Sequence, residues 1–129
     1  MTLVIDASVV VAALVDNGGQ GTWAEAILAQ GELVAPELLV VEVSNVLRRL
    51  ARSGSVSSEQ ADDAQAALIE LPVKLAPLHP LLERIWELRD NVTAYDACYV
   101  AIAERLSAPL ATLDRRLATQ QTLCEFLTP

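Results

Sequence analysis

Positive charge is scarce in this chain. Nine Lys and Arg face 17 Asp and Glu, a formal net charge of −8, and the nine include a single lysine, Lys74. With a pI near 4.5, a protein that grips nucleic acid through a broad basic surface is excluded. Any nucleic-acid chemistry must rest on local charge or on bound cations. Histidine occurs once, as His79 in a Pro-Leu-His-Pro turn, so no histidine cluster competes for zinc, and His79 reads as structural or solvated. Two cysteines, Cys98 and Cys124, both in apolar surroundings, make neither a disulfide framework nor a metal-ligand pair and read as buried thiols. There is also no long hydrophobic run. Residues 9–15 are apolar but too short to span a bilayer. They follow Asp6 with no Lys or Arg ahead of them, which makes a poor secretory leader. A reducing cytoplasm, away from membranes, is the expected setting.

Aromatics are few as well, five in 129 residues, yet 53% of the chain is hydrophobic. The surplus is Ala, Leu and Val, a composition suited to helices packed closely on buried strands. One domain over residues 1–129 is the expectation at this length. Leu3-Val4-Ile5 ends at Asp6 and reads as a short buried strand. Helices are predicted over 7–15 and 22–30, the first broken by Asp16-Asn17-Gly18-Gly19 and the second stopped by Gly31. A strand over 33–35 ends at Pro36. The longest helical pattern covers 37–52 and terminates at Ser53-Gly54. Ser57 is placed to cap a helix running to about Leu71, and 73–76 is a strand between prolines. Pro80 opens a helix over 80–90, and Thr93 caps another over 94–106. A strand over 109–113 leads to Asp114, followed by a short helix over 115–121 and an edge strand over 125–127. Short apolar strands alternating with helices indicate an α/β fold with a mainly parallel sheet. In such sheets, sites form beyond the carboxyl ends of the strands.

That rule singles out acids. Asp6 follows Leu-Val-Ile and Asp114 follows Ala-Thr-Leu, each at the end of an apolar strand. Two further acids interrupt apolar helices. At about 100° per residue, Glu42 falls between Leu38 and Val46 at the border of the apolar stripe, with Asn45 and Arg49 on the same side. Asp96 lies in the first turn of its helix, beside Val100 and Ala103. Each acid has a purely local reading too. Asp6 and Asp114 each precede a helix and suit its cap, Asp96 suits a capping arrangement with Thr93, and Glu42 suits an edge residue bonded to polar neighbours. Gathered together, they need a cation. Carboxylates roughly 5 Å apart at an effective dielectric near 20 repel by about 3 kcal/mol per pair, so a cluster calls for a proton or a metal. Hard divalent ions take oxygen ligands of this kind.

Four stretches resemble the PIN-domain family, and within it the VapC-type toxins. They are Val4-Ile5-Asp6-Ala7-Ser8, Val41-Glu42-Val43-Ser44-Asn45-Val46-Leu47, Thr93-Ala94-Tyr95-Asp96-Ala97-Cys98-Tyr99-Val100-Ala101 and Ala111-Thr112-Leu113-Asp114-Arg115-Arg116-Leu117, in order and in register over nearly the whole chain. The resemblance implies a three-layer domain, a mainly parallel five-stranded sheet flanked by helices. It also implies a Mg²⁺- or Mn²⁺-dependent endoribonuclease acting as the toxic half of a toxin–antitoxin pair. Asp6 and Asp96 would be the principal metal ligands. Glu42 and Asp114 would bind a second ion, hold water or assist deprotonation. Ser8 and Thr112 match small hydroxyl positions beside the site, and Asn45 a polar position flanking the glutamate. The implied partners are a VapB-like antitoxin whose tail crosses the site, an RNA substrate and a second copy of the chain. Arg48, Arg49, Arg52, Arg115 and Arg116 offer a local basic rim for RNA, or else solvated helix ends.

Other strand-end aspartate enzymes fit less well. A haloacid-dehalogenase-like phosphatase would want a second Asp where Ser8 stands, and a receiver domain would want a strand-end lysine in a context that Lys74 lacks. The remaining alternative is a catalytically silent PIN-fold module that grips an antitoxin or RNA. Loss of an acid would favour it, and all four are present.

Overall fold

A computed structural model of the chain describes residues 1–120 and 123–129. Five strands form one sheet: β1 (Thr2–Ile5), β2 (Glu32–Pro36), β3 (Val73–Ala76), β4 (Leu110–Ala111) and β5 (Phe126–Leu127), in the order β3-β2-β1-β4-β5. Every pairing is parallel, with Val4 opposite Val34 on one side and Leu110 on the other. A parallel sheet is covered on both faces, which is why Leu3, Val4, Ile5, Leu33, Val34 and Leu110 are buried apolar residues without polar alternation. The sheet grows outward from β1 through β2 and β3, then resumes on the far side of β1 with β4 and β5. The reversal therefore falls between β1 and β4, and the ends of those two strands flank the crevice where such sheets carry their sites.

The helices are α1 (Ala7–Val15), α2 (Gly19–Leu28), α3 (Leu38–Ser53), α4 (Ser58–Glu70), α5 (Leu82–Glu87), α6 (Ala94–Leu106) and α7 (Arg115–Ala118). The α1 helix packs against α2, α3 and α4, while α6 lies on β1 and β2 with α5 beside it. Their ends follow local chemistry. Gly54, at φ 80°, closes α3 in the left-handed conformation that glycine adopts without strain. Ser57 and Gln60 close a reciprocal capping box on α4, and the Thr93 hydroxyl accepts from the Asp96 amide at the start of α6. The outer strand β3 lies between Pro72 and Pro77 and exposes Lys74.

Several boundaries differ from the sequence expectation. The second helix starts at Gly19 rather than at residue 22, and takes two glycines, Gly19 and Gly21, into its first turn. Gly21 is buried there because a side chain would run into the Asp16 carbonyl at the end of α1. The helix expected over 80–90 is a 3-10 turn (His79–Leu81) followed by the six-residue α5. Strand β4 is two residues long rather than five. The last helix ends at Ala118, and the terminal residue expected for it, Gln121, lies outside the described residues. Both cysteines are free thiols, Cys98 buried and Cys124 half-buried, and burial pushes the Cys124 thiol up to about 11.

Candidate active site

The first acid is the most constrained. Asp6 follows β1 and is only 8% exposed. It precedes α1, yet its side chain does not cap that helix. Instead its Oδ2 accepts from the Ser8 hydroxyl at 2.7 Å and from the Thr112 hydroxyl at 2.9 Å. Those hydroxyls also accept: Ser8 from the Leu113 amide and Thr112 from the Asp114 amide, both at 3.0 Å. One carboxylate oxygen and two hydroxyls thus tie the end of β1 to the end of β4, segments more than a hundred residues apart in sequence. This arrangement leaves Asp6 anchored but not neutralised. Burial raises its pKa, its hydroxyl partners and the Ala7 amide oppose that, and the Asp114 charge adds to it.

Glu42 and Asp96 come from the two flanking helices. Glu42 sits on α3, half-buried, and its Oε1 accepts a 2.6 Å hydrogen bond from the Tyr99 hydroxyl on α6. Burial raises the Glu42 pKa, Tyr99 opposes it, and the charges of Asp6 and Asp96 raise it further. Asp96 stands one turn earlier on α6, three residues before Tyr99. Its pKa is raised by burial and by Asp6 and Asp114, and is lowered by Thr93 and by the Arg116 guanidinium. Asp114 has two jobs at once. Its Oδ1 accepts from the Arg116 and Leu117 amides and caps α7, as the local reading expects, while its charge reaches both Asp6 and Asp96.

All four acids line one open cleft of about 720 Å³, whose apolar wall includes Val11 and Val15 of α1 and Val46 and Leu50 of α3. Ser8 lines it too, whereas Asn45 is exposed on α3 with no hydrogen bond to Glu42. Arg48, Arg49 and Arg52 are exposed along α3. Arg115 faces a separate hollow beside Thr128 and Pro129. Arg116 alone of these arginines lines a second cavity that shares Asp96 with the site. Tyr99 is the functional candidate that sequence reasoning passed over. The signal was available: a tyrosine inside the wholly apolar face of α6 needs a partner for its hydroxyl.

The donors suit a hard divalent ion. They are carboxylate oxygens with hydroxyls behind them, and the one ion pair among the described residues, Arg84–Glu104, lies between α5 and α6 and neutralises none of the four. Among the described residues, no three acidic, histidine or cysteine side chains stand close enough to make a finished cage. Mg²⁺ does not require one, since it keeps waters and uses one or two carboxylates together with substrate phosphate.

Comparison with known proteins shows the family. The PIN-domain family model matches residues 3–121. Ribonuclease VapC1 of Mycobacterium tuberculosis is 43% identical over 128 residues, covering 95% of this chain and 94% of the relative. Ribonuclease VapC9 of the same organism is 40% identical over 123 residues, with the same coverage. Among solved structures, VapBC2 from Rickettsia felis, bound to a DNA fragment from its promoter, superposes with a TM-score of 0.71 at 12% identity, covering 100% of this chain and 99% of that one. VapC20 of Mycobacterium tuberculosis, described as a sarcin-ricin loop cleaving toxin, gives 0.70 at 16% identity, covering 92% of this chain and 94% of that one. By sequence over nearly its full length, the chain belongs to the PIN-domain family, in the branch that holds the VapC proteins.

Proposed function

We propose that this protein is a Mg²⁺- or Mn²⁺-dependent endoribonuclease, the toxin of a toxin–antitoxin pair, acting in the cytoplasm as one domain over residues 1–129. The observation that carries the reading is the convergence of Asp6, Glu42, Asp96 and Asp114 on one cleft at the point where the sheet order reverses. Three of these acids are held at raised pKa with no ion pair among the described residues to offset them. The relatives named ribonuclease VapC support the choice of RNA.

Asp6 and Asp96 hold the ion. Asp6 is suited to this because Ser8 and Thr112 fix its rotamer through a single oxygen. Glu42 and Asp114 hold a second ion or accept the proton of the water that attacks phosphorus, and Tyr99 orients Glu42 for either task. A bound ion supplies charge for the phosphate and lowers the pKa of a coordinated water. The positive charge so gained would offset that of the carboxylates where phosphate enters, which answers the objection raised by the acidic composition. The partner is a VapB-like antitoxin. The apolar wall of Val11, Val15, Val46 and Leu50 suits an antitoxin segment, and the carboxylates suit its arginine. Val41 and Ile69, exposed on α3 and α4, offer apolar area for a homodimer.

The test is expression of the chain alone in a bacterium beside Asp6→Asn and Asp96→Asn, with Mn²⁺ titration of each purified protein by calorimetry. Growth arrest and Mn²⁺ binding by the wild type, both lost in the variants, are the expected result. Equal arrest from all three, or a wild type that binds no metal, would overturn the proposal in favour of a silent binding module.

A further inference from the structure

Beyond Asp96 the acidic cleft gives way to a second cavity of about 430 Å³, lined by Arg89, Asp90, Asn91 and Thr93 on the turn after α5, and by Arg116 and Gln120 around α7. Unlike the cleft, it sets two arginines beside its two aspartates, Asp90 and Asp96. In a chain of net charge −8, two guanidiniums meet here beside the acid site, and neither forms an ion pair among the described residues. Arg89 is also held in place. Its Cζ lies 4.7 Å from the centroid of the Trp86 ring, and its Nη1 donates to the Trp86 carbonyl at 2.9 Å. Trp86 itself is 68% exposed, far more than packing calls for in the largest side chain. Asn91 and Gln120 add hydrogen-bonding amides to the lining.

We propose that this cavity is a subsite for single-stranded RNA next to the cleavage site: Arg89 and Arg116 bind a backbone phosphate flanking the scissile one, and a splayed base stacks on the Trp86–Arg89 shelf. The subsite rests on the ribonuclease reading, since it shares Asp96 with the proposed catalytic cleft. A guanidinium matches phosphate oxygens in a fixed fork. An arginine already stacked on an indole loses little freedom when a phosphate arrives. A base laid on an exposed aromatic or guanidinium plane is the usual means of holding unpaired RNA. A duplex keeps its bases stacked on one another and leaves such a shelf unused.

Mixing Mg²⁺-loaded protein with a short fluorescein-labelled single-stranded RNA in a stopped-flow device, before cleavage proceeds, provides the test. Trp86 emission, isolated with Trp23→Phe, reports stacking, and anisotropy of the unaltered chain reports affinity. Quenching by single strand but not by duplex is expected. Arg89→Ala should weaken binding roughly tenfold or more, as loss of one charge-assisted contact does. The same change should flatten the salt dependence of log K by about 0.7 per phosphate contact removed. It should leave Mn²⁺ affinity unchanged, as should the distant control Arg105→Ala, which should also leave RNA affinity unchanged. A wild type that cleaves RNA while Trp86 stays unquenched and Arg89→Ala binds normally would overturn the subsite alone. Sedimentation showing that a second copy covers Trp86 would overturn it too, by assigning the shelf to the dimer. A wild type that neither binds nor cleaves RNA would remove the ribonuclease reading together with it.

Discussion

A 2.6 Å hydrogen bond from the Tyr99 hydroxyl on α6 to the carboxylate on α3 sets the position of Glu42. Tyr99 is fully buried, so Tyr99→Phe keeps the packing and removes only the donor. Loss of about 1 kcal/mol in urea unfolding is expected, with a several-fold weaker Mn²⁺ affinity measured by calorimetry. Asp96→Asn should act in the opposite sense on stability. Asp6, Glu42 and Asp96 have pKa values raised above their unfolded values, so the native state binds more protons than the unfolded one. The contribution of these groups is then fully present below the ordinary carboxylate pKa and is lost as pH rises through the raised values. In EDTA at pH 7, Asp96→Asn should therefore be more stable than the wild type, and urea melts should show that margin shrinking as pH falls through the raised pKa toward the ordinary carboxylate range. An unchanged margin would mean that neither burial nor the neighbouring acids raise the Asp96 pKa. Asp114 calls for a conservative test, because it also caps α7. Asparagine keeps the cap acceptor while alanine removes it, so Asp114→Asn separates chemistry from folding and Asp114→Ala does not.

Elements differ in how plainly their sequences announce them. The α3, α4 and α6 helices were legible because each combines an apolar stripe with a terminal signal: Gly54, the Ser57–Gln60 box and Thr93. Ser57→Ala should cost about 1 kcal/mol in thermal or urea unfolding and leave Mn²⁺ affinity untouched, since α4 contributes no acid to the cleft. The α2 start was not legible. Asp16-Asn17-Gly18-Gly19 reads locally as a breaker, and only the close approach of Gly21 to the end of α1 explains a glycine inside a helix. The short β4 was over-read because an apolar run carries no mark of where pairing stops. At the cleft, the four acids were legible individually from strand ends and helix stripes. The hydroxyl bridge from Asp6 to Thr112 was not, because it joins residues that only the sheet order makes neighbours. Nor was Arg116 distinguishable from Arg115. The two are adjacent in sequence, yet one faces the acid site and the other a hollow near the C-terminus.

For the molecule as a whole, the proposed function couples metal binding to folding through an acidic cleft on an acidic chain. A ligand that binds only the native state adds stability by mass action, about 2.7 kcal/mol at a hundred times its dissociation constant. Saturating Mn²⁺ should thus raise the melting temperature by several degrees, an effect absent from Asp6→Asn and Asp96→Asn in differential scanning fluorimetry. The parallel sheet also leaves β3 as an outer strand, and its exposed Lys74 is the single lysine of the chain. A charge on an open edge discourages strand addition by another molecule, and here that protection rests on one amine. Acetylating the protein under native conditions would modify, besides the N-terminus, that position alone, and with it the barrier that keeps two sheets from joining.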